Sequence, residues 1–281
     1  VLQFLEILRL IRLANCLLAS VGVWIGAYLT WLAPSYYGPT LAGIGAFFVC
    51  AAGNVLNDYL DVEADRINRP DRVLVRGALS RKTALRLVIA FNLIALITAM
   101  AVSWSLTGIA LLTIALLVAY NFRLKKVPVL GNMTVALLAG MTFVTGGFAV
   151  APDFAFRFPG PLVGTIFAFL FHLVREIIKD VQDTDGDRKA GWNSLALKVG
   201  ARRSLTLALG LFVLLVLLTY VPVYYRWFGR AYTVITVYLV DLPLLALLII
   251  ILGNPTPRML AVGSTALKVG MVLGLVALVL A

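Results

Sequence analysis

Apolar residues run through this chain in windows of about 16–24 residues, separated by short polar stretches, and a window of that length is enough for one helix to cross a hydrocarbon core. Nine windows are read, at about 14–33, 40–60, 83–103, 106–121, 133–150, 160–180, 203–221, 231–252 and 260–280. The pattern predicts an all-α, polytopic membrane helical bundle. Its nine or so transmembrane helices would surround a central cavity, with cytoplasmic cap loops, as a single domain over residues 1–281. Lys268 interrupts the last window. Glu6, Arg9 and Arg12 precede a first window that is too long for the apolar core of a cleaved signal.

Composition agrees with that pattern. The chain is 62% hydrophobic and only 13% charged, against about a quarter charged in soluble domains. The net charge of +11 is explained by topology and implies no nucleic acid. Arg157, Arg226 and Arg230 lie on one side and Lys268 lies within a span, while the other 20 Lys and Arg fall on the N-terminal side or at span ends facing it. The excess of basic residues marks the cytoplasmic face. This predicts a multi-pass cell-membrane protein with its chemistry facing the cytoplasm, and anionic membrane lipids and an anionic substrate as partners. Cys16 and Cys50 lack metal-ligand spacing and read as small buried hydrophobes.

The acids are not spread for solubility. Five of the 13 lie between Asp58 and Asp71 and five between Glu176 and Asp187, both at cytoplasmic ends of even-numbered spans. Read as a helix at 100° per residue, the first window puts Asn54, Asn57, Asp58, Asp61 and Asp65 within about 100° of arc, with Glu63 opposite. Pro70 ends that helix nearby. The second, read as helical throughout, gathers His172, Arg175, Glu176, Lys179, Asp180, Asp183 and Asp187 within about 140°. Asp61/Asp65 and Asp183/Asp187 are matching pairs 122 residues apart, which hints at two related halves, about 1–130 and 131–281.

Clustered carboxylates repel unless a cation lies between them, and hard Mg²⁺ is usually held by one or two carboxylates plus substrate phosphate oxygens. Basic residues follow each cluster: Arg66, Arg69, Arg72 and Arg76; Arg123, Lys125 and Lys126; Lys179, Arg188 and Lys189. Carboxylates, a divalent metal and several cations together describe a diphosphate site. It would open toward an apolar interior fit for a hydrocarbon tail.

These residues resemble the UbiA superfamily of intramembrane prenyltransferases over the whole chain. "NDYLDVEAD" fits its NDxxDxxxD motif at Asn57, Asp58, Asp61 and Asp65, and "DTDGD" fits its DxxxD motif at Asp183 and Asp187, with Gly191 following. "YNFRLKK" resembles its Tyr-plus-basic loop, and "RLIRLANC" its first-helix element, here Arg12 and Asn15. "DRINRPDR" and "REIIKDVQDTDGD" look most like the branch that makes archaeal-type ether lipids, although Val73, Val75 and Arg76 depart from its usual "RPDRPLPSG".

The resemblance implies Mg²⁺-dependent transfer of a prenyl group, geranylgeranyl in that branch, from a prenyl diphosphate to a lipid-like acceptor, geranylgeranylglyceryl phosphate. It implies Asn57, Asp61 and Asp65 as ligands of one metal ion and Asp183 and Asp187 of another, with the four aspartates as the catalytic set. Arg72, Lys125, Lys126, Asn54 and Tyr120 would serve the diphosphate; Arg175, Lys179, Arg12 and Asn15 the acceptor; and Asp58, Asp180, His172 and Glu176 would support them.

Rival readings remain at this point. An aromatic prenyltransferase making a quinone precursor would share the donor chemistry. A divalent-cation transporter should keep polar residues through to the far side, and the outer halves of spans 2 and 6 are nearly bare. A phospholipid-headgroup transferase would need a DGxxAR string, which is absent. An EF-hand starting at Asp183 would need Gly at Arg188 and Glu at Ser194. His172 reads as a satisfied interhelical polar residue, and Asp241, ahead of Pro243 in a locally opened helix, as a hydrogen-bond partner or a cavity-lining acid.

Overall fold

The structure, a computed structural model, describes residues 2–32, 35–189 and 194–281. Gly191 lies outside the described residues, and the side chains of Leu2, Ile67, Asn68, Asp185 and Lys189 are not described. The described residues are helical apart from turns and short connections, with no strand among them. Among the described residues, eight helices are long and apolar enough to cross a membrane, or nine if a bent pair at the N-terminal end counts as one span. The chain forms two compact units, residues 1–125 with 141–162 and residues 126–140 with 163–281.

In the first unit, α1 (Leu2–Leu10) and α2 (Leu13–Tyr28) are bent by 56°. The polar lead expected before the first span is thus a helix of its own. Its end is buried because Leu10 and Ile11 pack into a core with Val55, Leu56, Val62, Leu79 and Ala84. The central helix is α3 (Tyr37–Leu60), which packs against α2, α5 (Arg81–Met100) and α6 (Trp104–Phe122). Ser80 and Ser103 cap α5 and α6 by accepting from the N–H groups of Thr83 and Leu106 at 3.0 and 3.2 Å, which satisfies donors that an uncapped helix start leaves open. The second half of α7 (Leu130–Val150) packs backbone to backbone on α2. A Cβ on Gly26 would meet the Phe143 carbonyl oxygen at 2.1 Å, and one on Gly146 the Val23 oxygen at 1.9 Å. Small residues at such contacts are how membrane helices approach closely.

The short α4 (Val62–Asn68) follows α3, and it ends at Arg69, just before Pro70 as the proline rule requires. Neither acidic window is one unbroken helix. α3 stops at Leu60, and Asp61, at φ −95° and ψ 6°, joins it to α4.

The second unit repeats this form. α8 (Pro161–Gln182) stops, Asp183 intervenes, and α9 (Thr184–Lys189) resumes. Next come α10 (Leu195–Val199), α11 (Ala201–Tyr224), α12 (Arg230–Thr233), a π-helical stretch Val234–Asp241, α13 (Leu242–Gly253) and α14 (Pro257–Val279). The core joins Phe171, Val174 and Ile178 of α8 to Phe212 and Leu215 of α11, Leu248 of α13 and Leu267 of α14. Lys268 does not interrupt α14, which is continuous on either side of it.

The opened helix expected near Pro243 is the π-helical stretch, which ends at Asp241. Pro243 has no N–H to donate, so the regular bond pattern cannot pass through it. Asp241 is buried and accepts a hydrogen bond from the Thr219 hydroxyl at 2.8 Å, while the Tyr232 hydroxyl donates to the Thr219 carbonyl at 3.1 Å. Of its two readings, hydrogen-bond partner is the one realised.

Candidate functional site

In the first unit the break at Asp61 keeps the helical bond pattern while changing direction. The Asp61 N–H donates to the Asn57 carbonyl at 3.0 Å and the Asp65 N–H to the Asp61 carbonyl at 2.8 Å. Asn57, Asp61 and Asp65 therefore follow one another at successive turns despite the bend. Asn57 donates its side-chain amide to Asp61 Oδ2 at 3.0 Å and to Asn121 Oδ1 at 3.1 Å. Lys125 Nζ lies 2.5 Å from Asp61 Oδ1, and its side chain is only 6% exposed.

Asp58, on the next face, has a different occupation. Its Oδ1 accepts from Arg12 at 2.8 Å and also from Arg72, and its side chain is 5% exposed. Arg12 sits in the left-handed region at φ 54°, a conformation that costs a non-glycine residue about 1–3 kcal/mol. Its pairing with Asp58 and a longer contact to Asn57 Oδ1 at 3.4 Å help hold it there. Asn54 donates to the Ile11 carbonyl at 2.8 Å, so it fastens the bend between α1 and α2. Glu63, expected on the opposite face, is exposed and pairs with Arg66 at 2.9 Å.

Asp65 is half-buried, and that burial raises its carboxyl above the usual carboxylate range. Asp58 and Asp61 push the same way, while Arg72 and Arg69 oppose. An acid raised by burial and like charges gains from a bound cation.

In the second unit Asp183 stands at the break as Asp61 does in the first. Its N–H donates to the Lys179 carbonyl and the Asp187 N–H donates to the Asp183 carbonyl, both at 2.9 Å. Asp180 accepts from the Asn132 amide of α7 at 2.8 Å. Glu176 is buried between cations, with Arg175 Nη1 at 2.7 Å from one oxygen and Lys179 Nζ at 3.6 Å from the other. His172 Nδ1 lies 2.9 Å from the Ala168 carbonyl. Its partner is thus one turn back on its own helix, not on a neighbouring one as expected, because a helical side chain leans toward the preceding turn. Of the remaining expected residues, Asn15 and Lys126 are exposed and Tyr120 is half-buried near the end of α6.

The sequence reading missed Asn121. It is buried, donates to the Leu117 carbonyl at 2.9 Å and presents its oxygen to Asn57, so it orients a proposed metal ligand. A buried amide at the end of an apolar span, beside the Tyr120 already singled out, was the available signal.

Among the described residues no three His, Cys, Asp or Glu side chains gather as a closed metal cage. What each unit offers is a pair of carboxylates one turn apart at a helix break, joined by an Asn oxygen in the first. That oxygen-only, incomplete set fits Mg²⁺, which keeps positions for water and phosphate oxygens.

Fold and site together define a helical membrane protein with paired aspartates at two helix breaks and a buried lysine, Lys125, beside the first pair. The profile of the UbiA prenyltransferase family matches residues 16–260, and the chain belongs to that family. The digeranylgeranylglyceryl phosphate synthase of Natronomonas pharaonis is 36% identical over 231 residues, 82% of each chain. A solved structure of a digeranylgeranylglyceryl phosphate synthase superposes with a TM-score of 0.78 at 30% identity, covering 99% of this chain and 97% of that one. A UbiA homologue from Archaeoglobus fulgidus bound to DMAPP and Mg²⁺ shares the fold, with a TM-score of 0.64 at 21% identity over 98% of this chain and 100% of that one.

Proposed function

We propose that this prenyltransferase moves a geranylgeranyl group from its diphosphate to the free glycerol hydroxyl of geranylgeranylglyceryl phosphate, at the cytoplasmic face of the cell membrane. The observation that carries the reading is the repeated break, with Asp61/Asp65 and Asp183/Asp187 each set one turn apart and the buried Lys125 beside Asp61. The name shared by the Natronomonas relative and the superposed structure supports the acceptor, and the one-sided distribution of basic residues supports the membrane side. The matching breaks also support two related halves within one domain.

In this reading Asn57, Asp61 and Asp65 would hold one Mg²⁺ ion and Asp183 and Asp187 another. Bound there, magnesium would neutralise diphosphate charge and polarise the bond to the leaving group. Lys125, already beside Asp61, together with Arg72 and Lys126, stabilises the negative charge that grows as the donor C1–O bond breaks and diphosphate departs with the electron pair. Asp58 holds Arg72 in place for this, and it also holds Arg12, which with Asn15 would serve the acceptor. Apolar spans keep water from the allylic cation. The acceptor oxygen bonds to C1, and its proton leaves to released diphosphate or a cluster carboxylate. Arg175 and Lys179 serve the acceptor phosphate.

The test uses purified protein with Mg²⁺, labelled geranylgeranyl diphosphate and either geranylgeranylglyceryl phosphate or 4-hydroxybenzoate. Product from the phosphorylated lipid alone is expected, and product from the aromatic acid alone would overturn the acceptor assignment. Asp61→Ala and Asp183→Ala should each lose at least about 10²-fold in rate, the scale on which single electrostatic contributors to a transition state act. Full activity in either would refute the two-cluster reading.

A further inference from the structure

Cys16 and Cys50 are free thiols for which prenyl transfer has no use. They belong to different helices, yet the packing of α2 on α3 sets them opposite each other. At one end of that contact Asn54 donates to the Ile11 carbonyl at 2.8 Å. Further along, a Cβ on Gly43 would come 2.9 Å from Ser20 Oγ and 3.5 Å from the Trp24 ring. Residue numbers fall along α3 as they rise along α2, so the pair is antiparallel, and Cys16 faces Cys50 between those two contacts. A glycine at such a crossing lets the helices approach closely.

The side chains agree with that register. Cys50 packs against the core that contains Cys16, and the two side chains interact directly. The Asn54 amide nitrogen touches both sulfurs, at 3.6 Å from Cys50 and 4.0 Å from Cys16. Cys16 Sγ donates to the Ile11 carbonyl at 3.1 Å, the same oxygen that accepts from Asn54. Cys16 is also one turn beyond Arg12, the left-handed residue of the bend, and its N–H lies 3.4 Å from the Arg12 carbonyl. A bond from Cys16 to Cys50 would therefore tie the first turn after the bend to α3.

Two sulfurs and an amide nitrogen, which does not deprotonate, underfill a tetrahedral metal site. A disulfide is what two facing thiols form without a third ligand.

We propose that Cys16 and Cys50 are a modification site, a dithiol that a hydroperoxide closes into a disulfide, and that this bond locks α2 on α3 behind the Arg12 bend. Cys16 is fully buried and Cys50 only partly so, which makes Cys50 the thiol that meets the oxidant. With hydrogen peroxide, the Cys50 sulfur attacks the O–O bond, and a sulfenic acid and one water result. The Cys16 sulfur then attacks the Cys50 sulfur. The S–S bond forms, the S–O bond breaks, and the departing hydroxyl takes the Cys16 proton as a second water. The two thiols lose two electrons and two protons, and the peroxide is reduced to two waters. Burial then shields the finished bond from charged thiol reductants.

The experiment treats the full chain in nanodiscs with hydrogen peroxide, blocks remaining thiols with iodoacetamide and reads peptides by mass spectrometry without reduction. An intramolecular Cys16–Cys50 link, lighter than the dithiol by two hydrogen atoms, is expected. The melting temperature should rise by at least about 4 °C, because the link removes freedom from the unfolded chain. Trypsin cleavage at Arg9 and Arg12 should slow by about fivefold or more as local opening of the bend is suppressed. Both changes should revert with dithiothreitol. Cys16→Ala leaves Cys50 with no thiol to resolve it, so dimedone should capture Cys50 as the sulfenic acid, and peroxide should change neither melting nor cleavage. The wild-type measurement stands by itself if that variant does not fold. Both thiols unmodified, Cys50 carried to the sulfinic acid with Cys16 still free, or a link between two chains would overturn the site. A Cys16–Cys50 link that leaves melting and cleavage unchanged would overturn the lock.

Discussion

Replacing Asp58 by Asn removes one charge and almost no volume, and its consequences separate two roles for the carboxylates of the first cluster. Asp58 Oδ1 accepts from both Arg12 and Arg72, with a side chain 5% exposed. A hydrogen bond to a charged group contributes about 1.5–3 kcal/mol and a neutral one about 0.5–1.5 kcal/mol. An Asn oxygen in the same place keeps the neutral fraction of two bonds, so the net loss is about 3 kcal/mol. That value is at the lower end of the 3–5 kcal/mol found when one partner of a buried pair is removed. The low end is appropriate because Arg12 keeps 34% exposure and part of its hydration. Three kcal/mol is about a 10²-fold change in the unfolding equilibrium, since 1.4 kcal/mol is tenfold. It should appear as a lower transition midpoint when the protein in detergent is titrated with a denaturant. Arg12 also loses its main tether in the left-handed conformation, so the bend between α1 and α2 should become more open to proteolysis. The Mg²⁺ dependence of the reaction should be unchanged in Asp58→Asn and shifted to higher Mg²⁺ in Asp61→Asn, because only Asp61 is proposed as a ligand. Stability within about 0.5 kcal/mol of wild type, or a Mg²⁺ dependence displaced as far as in Asp61→Asn, would refute this division of labour.

Other consequences follow from single residues. Gly146→Ala would drive a methyl into the Val23 carbonyl, 1.9 Å away, and force α2 and α7 apart; its melting temperature in detergent should fall well below that of Ala→Gly controls on exposed faces. Thr219→Val keeps shape but takes the hydroxyl donor from buried Asp241, at a cost of about 1–3 kcal/mol in stability, with KM for both substrates unaffected. Asp65 must be deprotonated to hold a cation, and its carboxyl titrates above the usual range, so Mg²⁺ affinity should weaken as pH falls through that raised value, and Asp65→Asn should remove the step. Without metal the sign for stability is opposite: the folded state holds the Asp65 proton more tightly than the unfolded chain, so stability rises as pH falls through the folded value. A metal-free stability profile that instead declined over that window would show Asp65 is not raised.

The membrane class, the number of spans and the two acidic clusters were legible in the sequence, because each rests on a local property. A helix in lipid must satisfy its own backbone, so apolar length reports spans one at a time. Ten of 13 acids in two short windows is equally visible without any contact. Even the matching offset of Asp61/Asp65 and Asp183/Asp187 is a count along the chain. Periodicity could not show that both windows break at their first metal-motif aspartate after the span, since an interrupted helix that keeps its i→i−4 bonds has nearly the same pattern as a continuous one. The tertiary structure alone separated neighbouring acids by what they touch. Asp58 went to Arg12 and Arg72, Asp61 to Lys125, Asp180 to Asn132 and Glu176 to Arg175. It also assigned Asn121 to Asn57 and made Asn54 a fastener of the N-terminal bend. Those pairings join residues as far as 64 positions apart. Charge and polarity along the chain say that a partner is needed, but the partner is selected by which helices pack together and in what register.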